Sequence, residues 1–419
     1  MQTRRQRIET NSYYSSKRGA SKQPIRRPYR KWLLFVALIG LVGFGLYRLA
    51  LPLGETEIEI AIANTRTAAR SSSLNWPQGS QSAVGDTQVG VLDEKPGAVA
   101  KPTASSAKLI TALVVLNSKP LEPGQAGPSI TMTQHDVDRY NRYYANDGST
   151  AIIAAGQQLS QYQLIQGTLV VSSNNYADSL AEWAFGSIDD YRIAAQRYLK
   201  SIGAKNTTIG GDASGYEPDT VSTPHDLVLI GIEAYKQPIL REIMAQKSVE
   251  LPLNPVRNNT NWLLGMDGVI GGKTGNSDQA GGVFVGIGET AVGSENRVVV
   301  AAVQGEKTPQ QAIELAGKLL SEAYAQYGQS TLYSKGQVVA RYYTPWGETY
   351  SALAQDDIRT TSWGGKSLGA DTRADQLRVG MRAGDRVGRI KSGSQTYPLV
   401  VDRDVDSPDL WWRIWRLQL

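Results

Sequence analysis

The longest apolar run of the chain extends from Trp32 to Tyr47 and resumes after Arg48 through Leu53. A helix needs about 20 residues to cross the hydrocarbon core of a bilayer, and an arginine near its end can reach the interface. Residues 1–31, before this run, contain ten lysines and arginines and one acid. Because basic flanks stay in the cytoplasm, the pattern predicts a basic cytoplasmic tail (1–31), a single-pass transmembrane anchor (32–53) in the cell membrane and an extracytoplasmic remainder. A cleaved signal peptide is the alternative, but the charged lead is long and no small-x-small cleavage site follows.

Helical and strand patterns are mixed between residues 77 and 330, after a linker at 54–76. Ser105–Leu116 is apolar nearly all round, which indicates a helix buried inside a domain. Alternating and β-branched runs predict a hairpin at Ser80–Leu92, turning at Gly85-Asp86, and an antiparallel hairpin further on. The strands of that second hairpin are Gly281–Ile287 and Arg297–Val303, and the further predicted helices are Tyr162–Val171, Tyr176–Phe185, Asp226–Tyr235 and Pro309–Tyr327.

Short alternating runs rich in Tyr, Val, Thr and Gly begin at Thr331. They predict a small all-β domain at 331–419. The chain ends in DLWWRIWRLQL, and this Trp-rich tail has two interpretations. It either contacts a membrane surface or packs as strand and core within the β domain. The predicted fold class is therefore α/β (α+β), with an antiparallel sheet, a C-terminal all-β domain and an N-terminal transmembrane helix.

Composition excludes several kinds of chemistry. The chain has no cysteine and only two histidines, His135 and His225, which argues against thiolate catalysis and against a cysteine or multi-histidine metal site. We therefore expect no metal and no cofactor. Residues 1–31 carry +9 of a net charge of +5, so the rest of the chain carries −4. The basic pI thus describes the tail, and we expect no nucleic-acid partner.

Ser105 and Lys108 are the first candidates for catalytic residues. Positions i and i+3 share a face of a helix, so the serine hydroxyl and the lysine amine can meet. A serine at a helix N-terminus lies where backbone N–H groups favour a developing anion. A lysine on a helix without a polar face must meet polar partners, and burial beside a second lysine lowers its pKa. A neutral amine can then act as a base.

Two later motifs add polar groups in a fixed order along the chain. Ser172-Ser173-Asn174 occupies a break between two predicted helices, where a hydroxyl and a carboxamide could relay a proton and orient a substrate amide; an ordinary helix cap is the alternative. Lys273-Thr274-Gly275 leads into a predicted strand. Its lysine could bind a carboxylate, and its glycine would let an extended substrate approach the strand edge.

Together these motifs resemble the serine D-alanyl-D-alanine carboxypeptidases, the low-molecular-weight penicillin-binding proteins of peptidase family S11. The likeness covers roughly residues 75–330 and includes ASSAKLITAL, SSNNYADSLAE and GGKTGNSDQAGG. It implies a β-lactamase/transpeptidase-like domain at 77–330 with a helical subdomain. It also implies peptidoglycan stem peptides ending in D-Ala-D-Ala as substrates and β-lactams as inhibitors.

The resemblance also implies a role for each matching residue. Ser105 would be the acylated nucleophile and Lys108 its general base. Ser172 would carry the proton to the leaving D-alanine and Asn174 would orient the substrate amide. The residues implied to bind the terminal carboxylate and to complete the oxyanion hole lie on the third motif: Lys273, Thr274, Gly275 and Asn276.

The sequence departs from the family pattern at Ser173, where glycine is usual, and at Gln310-Gln311, where a basic residue is common. Alternatives therefore stay open on the same fold: a D,D-endopeptidase, a β-lactamase, or a non-catalytic peptidoglycan-binding scaffold. Because no deacylating glutamate is evident, we expect long-lived β-lactam acylation over β-lactam hydrolysis.

Overall fold

A computed structural model describes residues 29–61 and 74–416. Nearly all of the predicted cytoplasmic tail and most of the predicted linker lie outside the described residues. Two compact units are distinguished by their internal contacts. One comprises the N-terminal apolar helix, the turn at 343–348 and the chain from residue 406 onward; the other comprises the chain at 58–342 and 349–405.

Helices in the described residues begin with the apolar segment and end near the C-terminus. A 3-10 turn at Ala104–Ala107 runs directly into the second of them. The helices are α1 (Tyr29–Ala50), α2 (Lys108–Ser118), α3 (Gln134–Ala145), α4 (Gln161–Leu169), α5 (Asn174–Phe185), α6 (Ile188–Ser201), α7 (Pro224–Lys236), α8 (Pro238–Met244), α9 (Pro309–Ala325) and α10 (Leu410–Trp415).

The strands form several antiparallel sheets. Up to α9 they are β1 (Glu57–Ile60), β2 (Gln81–Asp86), β3 (Gly90–Glu94), β4 (Lys101–Pro102), β5 (Ser129–Thr131), β6 (Gln158–Ser160), β7 (Val221–Ser222), β8 (Ser248–Val249), β9 (Arg257–Asn258), β10 (Val269–Ser277), β11 (Gly281–Val292) and β12 (Glu295–Glu306). After α9 they are β13 (Tyr327–Tyr333), β14 (Val338–Tyr343), β15 (Thr349–Ala354), β16 (Ile358–Trp363), β17 (Lys366–Ser367), β18 (Asp371–Ala374), β19 (Arg386–Ser392) and β20 (Gln395–Val401).

A five-stranded sheet in the order β10-β11-β12-β2-β3 is the centre of the larger unit. Alternate side chains of a strand point to opposite faces, and Val283 and Val285 pack in one core with α2 and α7. Phe284 packs in the other core with α9. The sheet is therefore covered by helices on both faces, and β10 is left as an edge strand beside the 3-10 turn. The predicted α/β fold with an antiparallel sheet is confirmed.

The predicted hairpin at the start of the domain exists, but its turn is wrongly placed. The chain reverses between Asp86 and Gly90, not at Gly85-Asp86. Gly85 lies inside β2, where a Cβ would stand 2.5 Å from Cγ1 of Val228, so glycine is required by the packing of α7. Asp86 is fully buried and forms a 2.8 Å ion pair with Arg297. Gly85 therefore serves close packing and Asp86 an ion pair, although the Gly-Asp pair in the sequence is typical of a turn.

The helices of the larger unit follow the predicted segments closely. α2, α4, α5 and α7 lie where the apolar periodicity indicates, and α9 ends at Ala325 because Tyr327 already begins β13. Ser173 caps α5 by accepting a hydrogen bond from the N–H of Tyr176. The helices α2, α4, α5 and α6 contribute to one buried cluster, which forms the predicted helical subdomain.

The region after α9 is β-rich, as predicted. It contributes strands to a six-stranded sheet, β1-β14-β15-β20-β19-β18, and forms a three-stranded sheet, β13-β16-β17. A separate core of alternating apolar residues lies between these strands and includes Val339, Tyr342, Tyr350, Ile390 and Leu399.

The smaller unit contains the apolar helix α1, whose side chains are not buried in the described part of the chain. α1 is long and apolar enough to cross a membrane by length and composition. The Trp-rich tail forms the helix α10, so the alternative of strand and core packing is wrong. Arg413 donates a 2.9 Å hydrogen bond to the carbonyl oxygen of Leu49, and Arg48 donates one of 3.1 Å to that of Ile414. The tail therefore contacts the C-terminal end of α1.

Candidate active site

Ser105 lies in the 3-10 turn that precedes α2, and Lys108 is the first residue of that helix. The Nζ of Lys108 donates a hydrogen bond to Oγ of Ser105 at 2.7 Å, as their i,i+3 spacing allows. The same amine donates to Oδ1 of Asn174 at 2.7 Å and to the carbonyl oxygen of Ser214 at 2.9 Å. Three acceptors therefore hold an amine that has no solvent exposure.

Burial lowers the pKa of Lys108 to about 7, while the charges of Asp212 and Asp178 oppose this shift. Burial also lowers the pKa of Lys273 well below its ordinary value, and the charge of Lys108 lowers it further. The neighbouring lysine thus lowers the pKa of Lys273, whereas the pKa of Lys108 is lowered mainly by burial. A neutral amine beside the Ser105 hydroxyl is the form required of a general base.

In the second motif, one side chain caps a helix and the other two contact the two buried lysines. Ser173 takes the capping role, because its hydroxyl accepts from the start of α5. Ser172 has a φ of +63°, a left-handed conformation that is uncommon outside glycine. Its Oγ accepts a 2.9 Å hydrogen bond from Nζ of Lys273. Asn174 contacts Lys108, so the two ends of the motif reach the two lysines.

The third motif lies on the edge strand β10. Lys273 is buried, and Oγ1 of Thr274 lies 2.7 Å from Oγ1 of Thr260. A Cβ at Gly275 would stand 2.8 Å from the carbonyl oxygen of Thr103 and 3.1 Å from the amide nitrogen of Ser106. The glycine therefore lets the turn that carries Ser105 pack against β10, whereas the sequence suggested a close approach by substrate.

A cavity of about 400 Å³ is lined by one or more residues of each motif, including Ser105, Ser172 and Thr274. Among its described lining residues, Asp147 is the one with a formal charge. Sequence reasoning missed several lining residues, because they come from separate segments with no short motif. The lining residues are Ser105, Asp147, Ser149, Ser172, Thr260, Trp262, Thr274, Gly275, Asn276, Pro309, Gln310 and Ile313.

The two histidines lie outside this cavity. His225, on the first turn of α7, has its Nδ1 3.0 Å from a carboxylate oxygen of Glu94. His135 lies on α3, with its Nε2 3.1 Å from a guanidinium nitrogen of Arg139. The described lining of the cavity thus offers a lysine-activated serine with no histidine beside it.

Comparison with known proteins gives the family. The family model of the D-alanyl-D-alanine carboxypeptidases, peptidase family S11, matches residues 78–308, more than half of the chain. The chain belongs to this family. The match begins just before β2 and ends just before α9, so it covers the central sheet and all three motifs.

Curated relatives carry related activities in their names. The chain is 25% identical to D-alanyl-D-alanine carboxypeptidase DacF of Bacillus subtilis, over 57% of this chain and 60% of that protein. It is 30% identical to D-alanyl-D-alanine carboxypeptidase DacB2 of Mycobacterium tuberculosis, over 51% of this chain and 70% of that protein. It is also 30% identical to the D-alanyl-D-alanine endopeptidase of Escherichia coli, over 57% of this chain and 76% of that protein. The matches thus span only part of these relatives.

Solved structures show the same fold. Penicillin binding protein 5 from Haemophilus influenzae superposes with a TM-score of 0.58 at 22% identity, covering 80% of this chain and 100% of that one. The D-alanyl-D-alanine carboxypeptidase from Mycobacterium tuberculosis superposes with a TM-score of 0.52 at 27% identity, covering 61% of this chain and 95% of that one.

Proposed function

We propose that this chain is a serine D-alanyl-D-alanine carboxypeptidase that removes the terminal D-Ala from peptidoglycan stem peptides through an acyl-enzyme on Ser105. One observation supports this most strongly: the Nζ of Lys108, with its pKa lowered to about 7, donates to the Ser105 hydroxyl on a polar cavity. Family membership and the names of the relatives support the substrate class.

Acylation begins when neutral Lys108 takes the hydroxyl proton of Ser105. The Oγ then attacks the carbonyl carbon of the penultimate D-Ala, and the backbone N–H groups of Ser105 and Asn276 bind the oxyanion. Such donors contribute roughly 3–4 kcal/mol in acyl transfer. The C–N bond breaks as Ser172 passes a proton to the leaving amine of D-Ala. The proton that Lys108 took from Ser105 then restores the Ser172 hydroxyl, so Lys108 is neutral again, and Lys273 holds Ser172 through its 2.9 Å hydrogen bond.

Deacylation repeats these steps with water in place of the serine hydroxyl. Lys108 takes a proton from the water, the ester carbon is attacked, and Ser105 leaves with its proton restored. Asn174 orients the substrate amide, because its Oδ1 is fixed by Lys108 at 2.7 Å. Thr274 lines the cavity and binds the terminal carboxylate, with the Thr260 hydroxyl beside its own. Lys273 is buried behind this lining and supports the contact by donating to the carbonyl oxygen of Thr274 at 2.9 Å.

A D,D-endopeptidase activity is the second candidate. Gln310 lines the cavity, and no lysine or arginine is among its described lining residues. A cleft with little fixed positive charge discriminates weakly in favour of a free carboxylate. The 30% identity to the Escherichia coli endopeptidase supports the same possibility. β-Lactams would acylate Ser105 as inhibitors, since no glutamate that could assist deacylation is among the described lining residues, where Asp147 is the one carboxylate.

The cellular arrangement that fits this activity is a single-pass protein of the cell membrane with a short cytoplasmic tail (1–31). α1 supports an anchor at 32–53, and a linker at 54–76 would precede the catalytic domain at 77–330 and the β-rich domain at 331–419. The substrate, a peptidoglycan peptide, lies outside the membrane and requires the catalytic domain there.

The experiment is acylation of the full-length protein by a fluorescent penicillin, followed by mass spectrometry of the modified peptide. We expect one adduct, on Ser105, and none in Ser105→Ala. Unlabelled protein, or equal labelling of Ser105→Ala, would reject the assignment. A D-Ala-D-Ala pentapeptide, a cross-linked muropeptide and a chromogenic cephalosporin then separate carboxypeptidase, endopeptidase and β-lactamase by which one turns over.

A further inference from the structure

Asp178 lies on α5, one turn beyond Asn174, and its side chain is 2% exposed. Its Oδ1 accepts a 2.9 Å hydrogen bond from the N–H of Ala213. Its Oδ2 accepts a 2.6 Å bond from the hydroxyl of Tyr143 and lies 3.6 Å from Nε of Arg139. A buried carboxylate is costly unless it is paired, and the mechanism proposed above does not use this one.

The backbone held by Asp178 is the backbone that holds Lys108. Ala213 is bonded to the carboxylate through its N–H, and its carbonyl oxygen accepts from Oγ1 of Thr111 on α2. The next residue, Ser214, accepts from Nζ of Lys108 at 2.9 Å. A displacement of this segment would therefore move one of the three acceptors of the amine.

Asp212 fixes the same segment from the other side. Its Oδ1 accepts from the N–H and the hydroxyl of Ser214, both at 2.6 Å, and its Oδ2 accepts from the N–H of Glu217 at 2.9 Å. Two carboxylates thus lie behind the carbonyl group that receives Lys108, and both are buried.

We propose that Asp178 is a positioning residue for Lys108, which orients the amine through the Ala213–Ser214 backbone and supplies a negative charge that stabilises its protonated form. The expected effect of Asp178 on acylation rests on the proposed function. Its expected effect on the position and the pKa of Lys108 does not. The proposal assigns an electrostatic task to an acid outside the three motifs.

The charges around Asp178 are compatible with this task. Burial and the charge of Asp212 raise the pKa of Asp178 to about 6, while Tyr143, the Ala213 N–H and Arg139 oppose that shift. The ion pair with Arg139 and the hydrogen bonds from Tyr143 and the Ala213 N–H favour the ionised carboxylate. The titratable and charged groups that surround it are Arg139, Arg142 and Tyr143 from α3, Glu182 from α5 through Arg139, Tyr191 from α6, Asp212 from the adjoining loop and Lys108 from α2.

Two substitutions separate the charge from the hydrogen bond. Asp178→Asn keeps an oxygen for the Ala213 N–H and removes the charge. Asp178→Ala removes both. Asp189→Asn is the matched control, because Asp189 is an acid with an 81% exposed side chain, paired with Arg192 and bonded to neither Ala213 nor Ser214.

The first measurement is the rate of penicillin acylation of the full-length protein in detergent between pH 5 and 9. Removing the anion should lower the proton affinity of Lys108, so the half-maximal pH of Asp178→Asn should fall by about one unit. Its limiting rate at high pH should stay within a few-fold of wild type. Asp178→Ala should show the same shift and a limiting rate at least tenfold lower. Asp189→Asn should match wild type.

The second measurement does not depend on catalysis. The Cε chemical shift of Lys108 in ¹³C-lysine-labelled full-length protein, assigned by its loss in Lys108→Met, reports the lysine titration directly. A lowered midpoint in Asp178→Asn supports the proposal even if wild type is never acylated, a result that would reject only the proposed function. An unchanged Lys108 midpoint in Asp178→Asn, with or without a lowered melting temperature, overturns the proposal and leaves Asp178 a merely structural residue.

Discussion

The Nζ of Lys273 lies 2.9 Å from Oγ of Ser172, although 101 positions separate the two residues in the chain. Ser172 adopts a φ of +63°, in the left-handed region. For a residue other than glycine, such a backbone costs on the order of 1–3 kcal/mol. The contact therefore joins an edge strand to a strained turn between two helices, and Ser172 presents this turn to the cavity.

Acylation should rise with pH around neutrality. Because the pKa of Lys108 is lowered to about 7, the neutral base should grow from about a tenth of the molecules at pH 6 to about nine-tenths at pH 8. We expect a half-maximal penicillin acylation rate near pH 7, measured by stopped-flow or quenched labelling. A flat profile between pH 6 and 8 would argue against Lys108 as the base.

The lowered pKa of Lys108 also predicts that the stability of the fold depends on pH. A lysine whose folded pKa lies below its unfolded value is penalised when protonated, so its contribution to folding improves as pH rises from about 7 towards 10.5. Relative to wild type, Lys108→Met should abolish acylation and should gain most in unfolding free energy below pH 7. Urea denaturation at pH 6 and pH 9 measures this difference. Equal effects of the substitution at both pH values would contradict it.

Ser172 and Ser173 should differ in what their loss affects. Ser172→Ala should lower the acylation rate at least a hundredfold, as expected for loss of a proton-transfer group, with little change in stability. Ser173→Ala should cost about 1 kcal/mol in unfolding free energy, because it removes a helix cap. Its rate, corrected for the folded fraction, should change much less. Denaturation and labelling of the two variants side by side test the distinction, and equal rate losses would refute it.

Gly275 should tolerate no side chain. A Cβ there would press on Thr103 and Ser106, which belong to the backbone around the nucleophile turn. Gly275→Ala should therefore displace Ser105 and lower acylation by more than tenfold. Gly211→Ala is the matched control, since a Cβ at Gly211 meets its nearest atom at 3.6 Å, an ordinary contact. Wild-type acylation by Gly275→Ala would show that the turn can move without consequence.

The Trp-rich helix should lie at the membrane surface. Trp411 and Trp415 are 73% and 61% exposed, their rings stack at 6.5 Å, and α10 is hydrogen-bonded to the end of α1. Because the chain has no cysteine, Trp415→Cys can be labelled at one site with an environment-sensitive dye in nanodiscs. We expect blue-shifted emission and quenching by brominated lipids. Ile193→Cys, an exposed position on α6, is the control, and matching spectra would reject the membrane contact.

Local sequence patterns predicted many of the helices and strands correctly. Apolar periodicity identified α4, α5 and α7, because one face of each must be buried. The segment of α2 was identified because it is apolar nearly all round, as a helix inside a domain is. The long strands β11 and β12 were recognised from their β-branched runs. The prediction of a turn at Gly85-Asp86 was wrong. A glycine needed for close packing and an acid needed for an ion pair resemble a turn when their distant partners are unknown.

In the candidate site, too, the sequence supplied the local features and the tertiary structure decided the distant contacts. The sequence by itself supplied the three motifs and, through them, the resemblance to the family. A hydroxyl and an amine spaced i,i+3 meet for a local geometric reason, which the sequence already contains. Only the tertiary structure decided that Ser173 caps a helix while Ser172 and Asn174 reach the two lysines. It also decided that Gly275 makes room for the nucleophile turn and that Asp178 lies behind Lys108. Apart from the local cap at Ser173, those relationships depend on packing between segments that are distant in the chain. Desolvation, the main cause of the lowered pKa of Lys108, arises only when that packing is complete.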